Sequence, residues 1–159
     1  MKRIGLILLL VLNVAWSYAQ KIYLGRSTYS SDVVCHIDGD GRIYKGQETF
    51  RSSVLARFDG TSLYPGNSTF VSDILLTWRD GKIYKGRSTF ESDVVATWRD
   101  GKMYAGRSTF SADVLFHYSQ NKVYRKNESF ESSVLLTTSA SVHPLVLYLV
   151  FTGLCFMEE

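Results

Sequence analysis

Short runs of β-branched and aromatic residues recur along the chain at a fixed interval, and polar turn residues separate them. The clearest copy, residues 82–101, has a tyrosine segment, a Gly-Arg-Ser-Thr-Phe-Glu-Ser connection, a Val-Val-Ala-Thr-Trp segment and an Asp-Gly pair. Runs of this composition and length predict β-strands, and Asp-Gly is a strong signal for a two-residue hairpin turn. The pattern therefore predicts a chain of β-hairpins.

One tyrosine opens each copy of the pattern, and consecutive tyrosines lie 20 or 21 residues apart. These residues are Tyr23, Tyr44, Tyr64, Tyr84, Tyr104 and Tyr124. A glycine stands two positions later in five copies, where we expect the backbone to bend as it leaves the strand. These residues are Gly25, Gly46, Gly66, Gly86 and Gly106. The period predicts six repeat units, which start near residues 21, 42, 62, 82, 102 and 122.

The first and last strand segments, near Tyr23 and Leu135, each lack a hairpin partner. Natural sheets avoid open edges, and closure of the sheet removes them. We therefore predict an all-β repeat domain over residues 20–141. Its six hairpin units of about 20 residues should close into a squat twelve-stranded ring or barrel when the chain ends pair.

Neither face of the predicted strands is plainly polar, so the sequence leaves open which face is inside. Strict alternation groups Val94 with Ala96 and Trp98 on one face, and Val95 with Tyr104 on the other. In the connection between hairpins, we expect Phe90 to tuck under the joint. The recurrent Ser-Asp pairs are interpreted as turn residues, because adjacency does not give a nucleophilic serine a positioned base. The Asp-Gly pairs at 38, 59, 80 and 100 predict two-residue turns, and Gln120-Asn121 is a weaker version.

Residues 1–19 have the pattern of a secretory signal peptide. Lys2-Arg3 precedes an apolar run, and Ser17-Tyr18-Ala19 supplies the small residues of a cleavage site. This predicts export to the periplasm or cell envelope of a bacterium. Export permits a disulfide between Cys35 and Cys155, but two residues so far apart in the chain do not show one, and we favour two buried thiols.

Residues 142–159 form the second segment outside the repeat. After Pro144, 13 residues are apolar on every side. As a helix they would span roughly 20 Å, less than the bilayer core of about 30 Å. We favour a hydrophobic C-terminal helix that packs into the same domain and fills its centre. A membrane anchor is the alternative.

The chain carries 18 basic and 15 acidic residues, for a net charge of +3. Without the predicted signal peptide the two signs nearly balance, and no basic stripe of the kind found in nucleic-acid-binding proteins is present. His36 and His117 occupy a repeat position that is Thr or Arg elsewhere, which predicts solvent-facing strand sites. With His143, they show no zinc-site spacing. The sequence predicts no catalytic residue, metal or cofactor.

Three arginines, Arg26, Arg87 and Arg107, stand at equivalent positions before a Ser-Thr pair. A half ring of arginines could meet phosphate or sulfate groups, for example in a lipid headgroup at a membrane surface. We favour a salt bridge from each arginine to the aspartate six residues on, which is Asp32, Asp93 or Asp113. The tyrosines could stack on a glycan, but we favour ordinary cross-strand packing for them.

The segments 82–95 and 78–84 resemble the repeats of bacterial beta-flower proteins, among them the four-fold beta-flower family. The resemblance covers residues 21–138 and implies a symmetric ring of hairpin petals, with an overall form similar to Tubby-like barrels. The Asp-Gly-x-x-Tyr-x-Gly string is also similar to a MORN repeat. We expect an exported, non-enzymatic binding or structural module whose ligand is unknown. A membrane-anchored MORN-like protein is the alternative.

Overall fold

The computed structural model describes residues 19–153, so the predicted signal peptide lies outside it except for Ala19. The described chain forms twelve strands, six 3₁₀ turns and one α-helix. The strands are β1 Gln20–Leu24, β2 Val33–Ile37, β3 Arg42–Lys45, β4 Val54–Phe58, β5 Ser62–Pro65, β6 Leu76–Arg79, β7 Lys82–Lys85, β8 Val94–Arg99, β9 Lys102–Ala105, β10 Val114–Ser119, β11 Lys122–Arg125 and β12 Val134–Thr138. The helix α1 spans Pro144–Phe151, and the 3₁₀ turns are Ser30–Asp32, Arg51–Ser53, Val71–Asp73, Glu91–Asp93, Ser111–Asp113 and Glu131–Ser133.

The strands form one closed antiparallel barrel in chain order. The seam joins β1 to β12, with Tyr23 opposite Thr137 and Leu24 opposite Leu136. The two unpaired half-units at the chain ends thus complete each other, as the sequence predicts. Closure leaves no open sheet edge among the described strands.

A β-bulge changes the side-chain alternation predicted for the strands. In β8 the register shifts so that Tyr84 faces Val94 while Ile83 faces Ala96, which leaves Val95 between the two pairs. Val95 packs against the core, whereas Val94 joins Tyr84 in the outer layer. The predicted grouping of Val94 with Ala96 is therefore wrong. The same shift occurs in β2, β4, β10 and β12.

The helix α1 fills the barrel. Helix α1 packs in one core with the side chains that line the inside of the strands. The buried strand residues of this core include Ile22, Cys35, Ile43, Ala56, Leu63, Ile83, Ala96, Met103, Phe116, Val123 and Leu136. Leu145, Val146, Leu147, Leu149 and Val150 of α1 are at most 2% exposed. A helix that is apolar all round belongs inside protein, which confirms the predicted central helix. Cys155 lies outside the described residues, so the structure does not test whether it pairs with Cys35.

The hairpin turns follow two patterns. Asp80-Gly81, Asp100-Gly101 and Gln120-Asn121 each have two positive φ angles, as type I′ turns require. Two other turns are longer than predicted, because four residues separate β2 from β3 and three separate β4 from β5. In these turns the carboxylates of Asp38 and Asp59 accept backbone N–H bonds at 2.7–2.9 Å.

The two ends of the barrel differ because the strands alternate in direction. All six long connections lie at one end, here called the connection rim. The five hairpin turns and the two ends of the repeat domain lie at the other end, here called the turn rim. The helix enters at the turn rim, where the ring of His143 packs 4.7 Å from Phe58 and 5.0 Å from Trp78.

Candidate binding surface

Each long connection is held by its own backbone and small polar side chains. Gly86 adopts φ +55° and donates its N–H to the carbonyl of Leu75 at 2.8 Å. Ser88 Oγ donates to the carboxylate of Asp93, and the same oxygen accepts the N–H of Phe90 at 3.1 Å. The N–H of Asp93 returns to the carbonyl of Phe90 at 3.0 Å and closes the 3₁₀ turn. The connection therefore takes its shape without using the aromatic side chain.

Six aromatic side chains, one in each connection, project into solvent. They are Tyr29, Phe50, Phe70, Phe90, Phe110 and Phe130, and they are 71–75% exposed. The prediction that Phe90 tucks under the joint is wrong. Tyr84 and Val94, which face each other across β7 and β8, already take the buried places in the outer layer, at 3% and 8% exposure.

These residues form a ring, here called the aromatic ring. Each member stands directly before the 3₁₀ turn of its connection, in extended backbone. Because the barrel is closed and the units are equivalent, the six side chains surround the barrel axis at the connection rim. Sequence reasoning missed this surface. The signal that could have found it is an aromatic residue at the same connection position in every unit.

The ring offers apolar contact area and little hydrogen-bonding chemistry. Five of its members are phenylalanines, which have no polar side-chain atom, and only Tyr29 carries a hydroxyl. Exposed apolar residues scattered singly over a surface are ordinary. Six at one repeated position form an organised feature that the packing of the barrel does not require.

The three predicted arginines do not come together in one site. Arg26, Arg87 and Arg107 are exposed and lie in three different connections. Within the described chain, no ion pair joins any of them to the aspartate six residues on. The predicted salt bridges are therefore wrong, because serine hydroxyls occupy those carboxylates. The pairs are Ser27–Asp32, Ser88–Asp93 and Ser108–Asp113.

The repeated tyrosines lie in the outer layer beneath the connections. Five are buried, with 3–8% exposure, and Tyr23 at the seam is half-buried. Tyr64 donates its hydroxyl to Asp59 at 2.9 Å, and the Arg79 guanidinium lies 4.6 Å from the centre of the Tyr84 ring. These contacts belong to the packing of the barrel, and burial leaves the five rings no open face for a sugar.

The predicted solvent-facing position of the histidines is wrong for His36. His36 is only 8% exposed, stacks on Tyr44 at 5.0 Å and has Nδ1 2.8 Å from the carbonyl oxygen of Gly46. His117 is half-buried, with Nδ1 3.3 Å from the Glu128 carbonyl. Both side chains reach the next connection, because this strand position faces the backbone that leaves the neighbouring strand.

Neither a metal-ligand cluster nor a membrane-spanning helix occurs in the described part of the chain. Among residues 19–153, no group of three or more His, Cys, Asp or Glu side chains could hold a metal ion. Helix α1, with eight residues, is too short to cross a bilayer, and no other described helix is long enough.

Comparison with known proteins identifies the family. No curated protein and no solved structure matches the chain. A family model described as 6-fold beta flower protein matches residues 22–148, which is most of the chain. The matching family is the six-fold one and not the four-fold one named in the sequence resemblance, in agreement with the six hairpin units that the repeat period predicts. The chain therefore belongs to the 6-fold beta flower protein family.

Proposed function

We propose that this protein is an exported, non-enzymatic binding module of the bacterial cell envelope, and that its aromatic ring attaches to a lipid surface. One observation carries the proposal: six aromatic side chains at one rim are each 71–75% exposed. Organised exposed apolar surface marks contact sites for a membrane or another partner. Repetition of the feature in all six units argues for one shared role.

The chemistry of the ring favours lipid over glycan. A sugar site combines an aromatic face with several fixed polar partners, whereas phenylalanine supplies apolar area alone. A circular array can also place all six side chains on one flat surface at once. Each fully buried phenylalanine would contribute about 1.5–3 kcal/mol, and shallow insertion contributes less. Binding would therefore depend on several rings acting together.

Charge plays a small part in the proposed contact. The connections hold residues of both signs, as Arg87 and Glu91 illustrate in the fourth unit. A mixed-charge rim has no strong preference for anionic lipid, so binding to zwitterionic bilayers should change little with salt. This separates the proposal from headgroup recognition by the exposed arginines.

The barrel and its helix bear on the Tubby-like form and on the membrane-anchored alternative. The closed barrel around α1 supports an overall form similar to Tubby-like barrels. A membrane-anchored MORN-like protein would need the apolar C-terminal segment for its anchor, but Leu145–Val150 already pack in the core. The placement of these side chains favours peripheral attachment.

The test is co-sedimentation of the mature chain, residues 20–159, with phosphatidylcholine vesicles. The triple variant F50S/F90S/F130S removes alternate members of the ring. The matched control S52A/S92A/S132A changes exposed residues two positions later in the same connections. We expect the control to bind like the unmodified chain and the triple serine variant to lose most of its binding.

The outcomes separate the possible ligands. Equal vesicle binding by the two triple variants would refute a role for the ring. Absence of vesicle binding, together with ring-dependent binding on a glycan array, would replace the lipid by a glycan. A secretion assay of the chain with and without residues 1–19 tests export independently.

A further inference from the structure

A second surface feature lies on the outside of the barrel, between the second and third connections. It is a cavity of about 450 Å³. Its lining includes Thr49, Arg51 and Thr69, which are chain neighbours of Phe50 and Phe70 in the aromatic ring. Its polar lining includes the side chains of Arg42, Arg51, Arg57, Thr49, Thr69 and Asn67. Three guanidinium groups therefore share one cavity that no carboxylate lines.

Two of the three arginines lack a counter-ion in the part of the chain that the structure describes. Arg42 pairs with Asp40 at 2.9 Å and with Asp38 at 3.5 Å, and neither aspartate lines the cavity. Among the described residues, Arg51 and Arg57 form no ion pair. Nε of Arg57 is buried and has no hydrogen-bond partner. A buried N–H without a partner is costly, and such groups in folded proteins call for an explanation.

Arg57 departs from the repeat at its strand position. The equivalent residues Thr77, Thr97 and Thr137 each donate a 2.7 Å hydrogen bond to a carbonyl of the neighbouring connection. Arg57 makes no such bond and instead lines the cavity. The substitution of a long cation for a threonine therefore gives up a structural hydrogen bond.

Arg51 also departs from the repeat, because it carries a positive charge where two other units carry a negative one. The equivalent residues in the fourth and sixth units are Glu91 and Glu131. Glu91 pairs with Lys82 at 2.8 Å, and Glu131 pairs with Lys122 at 2.6 Å. In the second unit Arg51 replaces this glutamate, so the place of an internal counter-ion holds a third positive charge.

We propose that this cavity is a binding site for a tetrahedral oxyanion, a phosphate or sulfate group that is either free or part of an ester. Guanidinium groups match the oxygens of such anions with paired N–H donors. Thr49 and Thr69 add hydroxyl donors at the cavity wall. The amide of Asn67 donates to the carbonyl of Arg51 at 2.8 Å and fixes the loop that carries it. The bound anion would supply the counter-charge that the other units supply internally.

The test is an NMR titration of the mature chain with inorganic phosphate at constant ionic strength, with chloride as the reference. We expect a saturable shift of the Arg57 Nε–H resonance and of the amides near Thr49 and Asn67. R51E restores the residue of the fourth and sixth units, and R57T restores the threonine of three other units. Because both variants reproduce arrangements already present in this barrel, they should fold.

Both variants should weaken phosphate binding at least about tenfold, the effect of one lost charged contact. The matched controls R125E and R125T change an exposed arginine outside the cavity and should stay within about twofold. A chloride-like response of Arg57, or equal weakening in R51E and R125E, would overturn the proposal. A parallel titration with phenyl phosphate shows whether the site also takes an ester. The two proposals rest on different side chains, the guanidinium groups here and the aromatic rings there, so failure of either test leaves the other standing.

Discussion

Thr137 donates a hydrogen bond from Oγ1 to the carbonyl of Gly25, 2.7 Å away and 112 residues earlier in the chain. The same bond joins Thr97 to Gly106 at 2.7 Å, across only nine residues. The seam between the chain ends therefore repeats the local geometry of an internal junction.

Because the hydrogen bond at the seam has the same length as the internal one, removal of either bond should destabilise the protein equally. T137V and T97V should each lower the free energy of unfolding by about 1 kcal/mol, because each removes one intramolecular hydrogen bond. Urea denaturation of both variants measures this. A substantial loss for T97V with none for T137V would indicate that the seam is open in solution.

The turn between β2 and β3 predicts a strong effect at one glycine. A Cβ on Gly41 would lie 1.9 Å from the carbonyl oxygen of Phe58, and the residue has φ +77°. G41A should lower the free energy of unfolding by about 3 kcal/mol or more. The backbone near Phe58 must move to make room for the Cβ, and alanine must adopt a φ that is unfavourable for it. G60A is the matched control, because Gly60 has φ +100° with nothing within 4 Å of the added Cβ. The midpoint of thermal unfolding of G41A should be well below that of G60A. Similar midpoints would contradict the close approach of Gly41 to the Phe58 carbonyl.

The sixth connection carries a lysine where the other five carry glycine. Lys126 has φ +51°, and its N–H reaches the carbonyl of Leu115 at 3.3 Å, longer than the equivalent bonds of the glycines. A left-handed conformation disfavours a residue with a Cβ. K126G should therefore stabilise the protein by about 1 kcal/mol, and G106K should destabilise it by a similar amount in chemical denaturation. A loss of stability in K126G would show that the lysine side chain contributes contacts of its own.

The overall architecture follows from the sequence, whereas the side-chain placement on its surface does not. The tyrosine spacing, the half-units and the apolar C-terminal segment suffice for the closed barrel and its central helix. The exchange of Val94 and Val95 does not follow, because a bulge depends on how two strands pair. The exposure of Phe90 does not follow either, because an apolar ring favours a buried place, whereas Tyr84 and Val94 occupy the buried places of the outer layer. The cavity at Arg57 does not follow from the sequence, because its lining residues Arg42, Arg51 and Asn67 come from different elements that only the fold brings together.

His143 predicts a pH dependence of stability. Burial lowers the pKa of His143 below its ordinary value, and its Nδ1 accepts the N–H of Leu145 at 3.2 Å as the cap of α1. As the pH falls below about 6.5, the unfolded chain binds a proton before the folded one does. The free energy of unfolding should therefore decrease as the pH is lowered from about 6.5 to the pKa of His143 in the folded chain. Below that pKa it should not decrease further through this group.

The variant H143N isolates this effect, because asparagine caps a helix without titrating near neutral pH. Urea denaturation at pH 7.5 and pH 5.0 should show a smaller loss of stability for H143N than for the unmodified chain. His36 and His117 remain in both proteins, so they do not affect the comparison. Parallel pH profiles would mean that His143 titrates alike in the folded and unfolded chain.

The proposed attachment through the aromatic ring is tested most directly by NMR relaxation in phosphatidylcholine vesicles that carry a spin-labelled lipid. The spin label broadens the resonances of residues that touch the bilayer. The proposal predicts broadening at Phe50, Phe90 and Phe130 on the connection rim, and sharp signals at Gly81 and Gly101 on the turn rim. Equal broadening at both rims, or broadening at the turn rim alone, would contradict it.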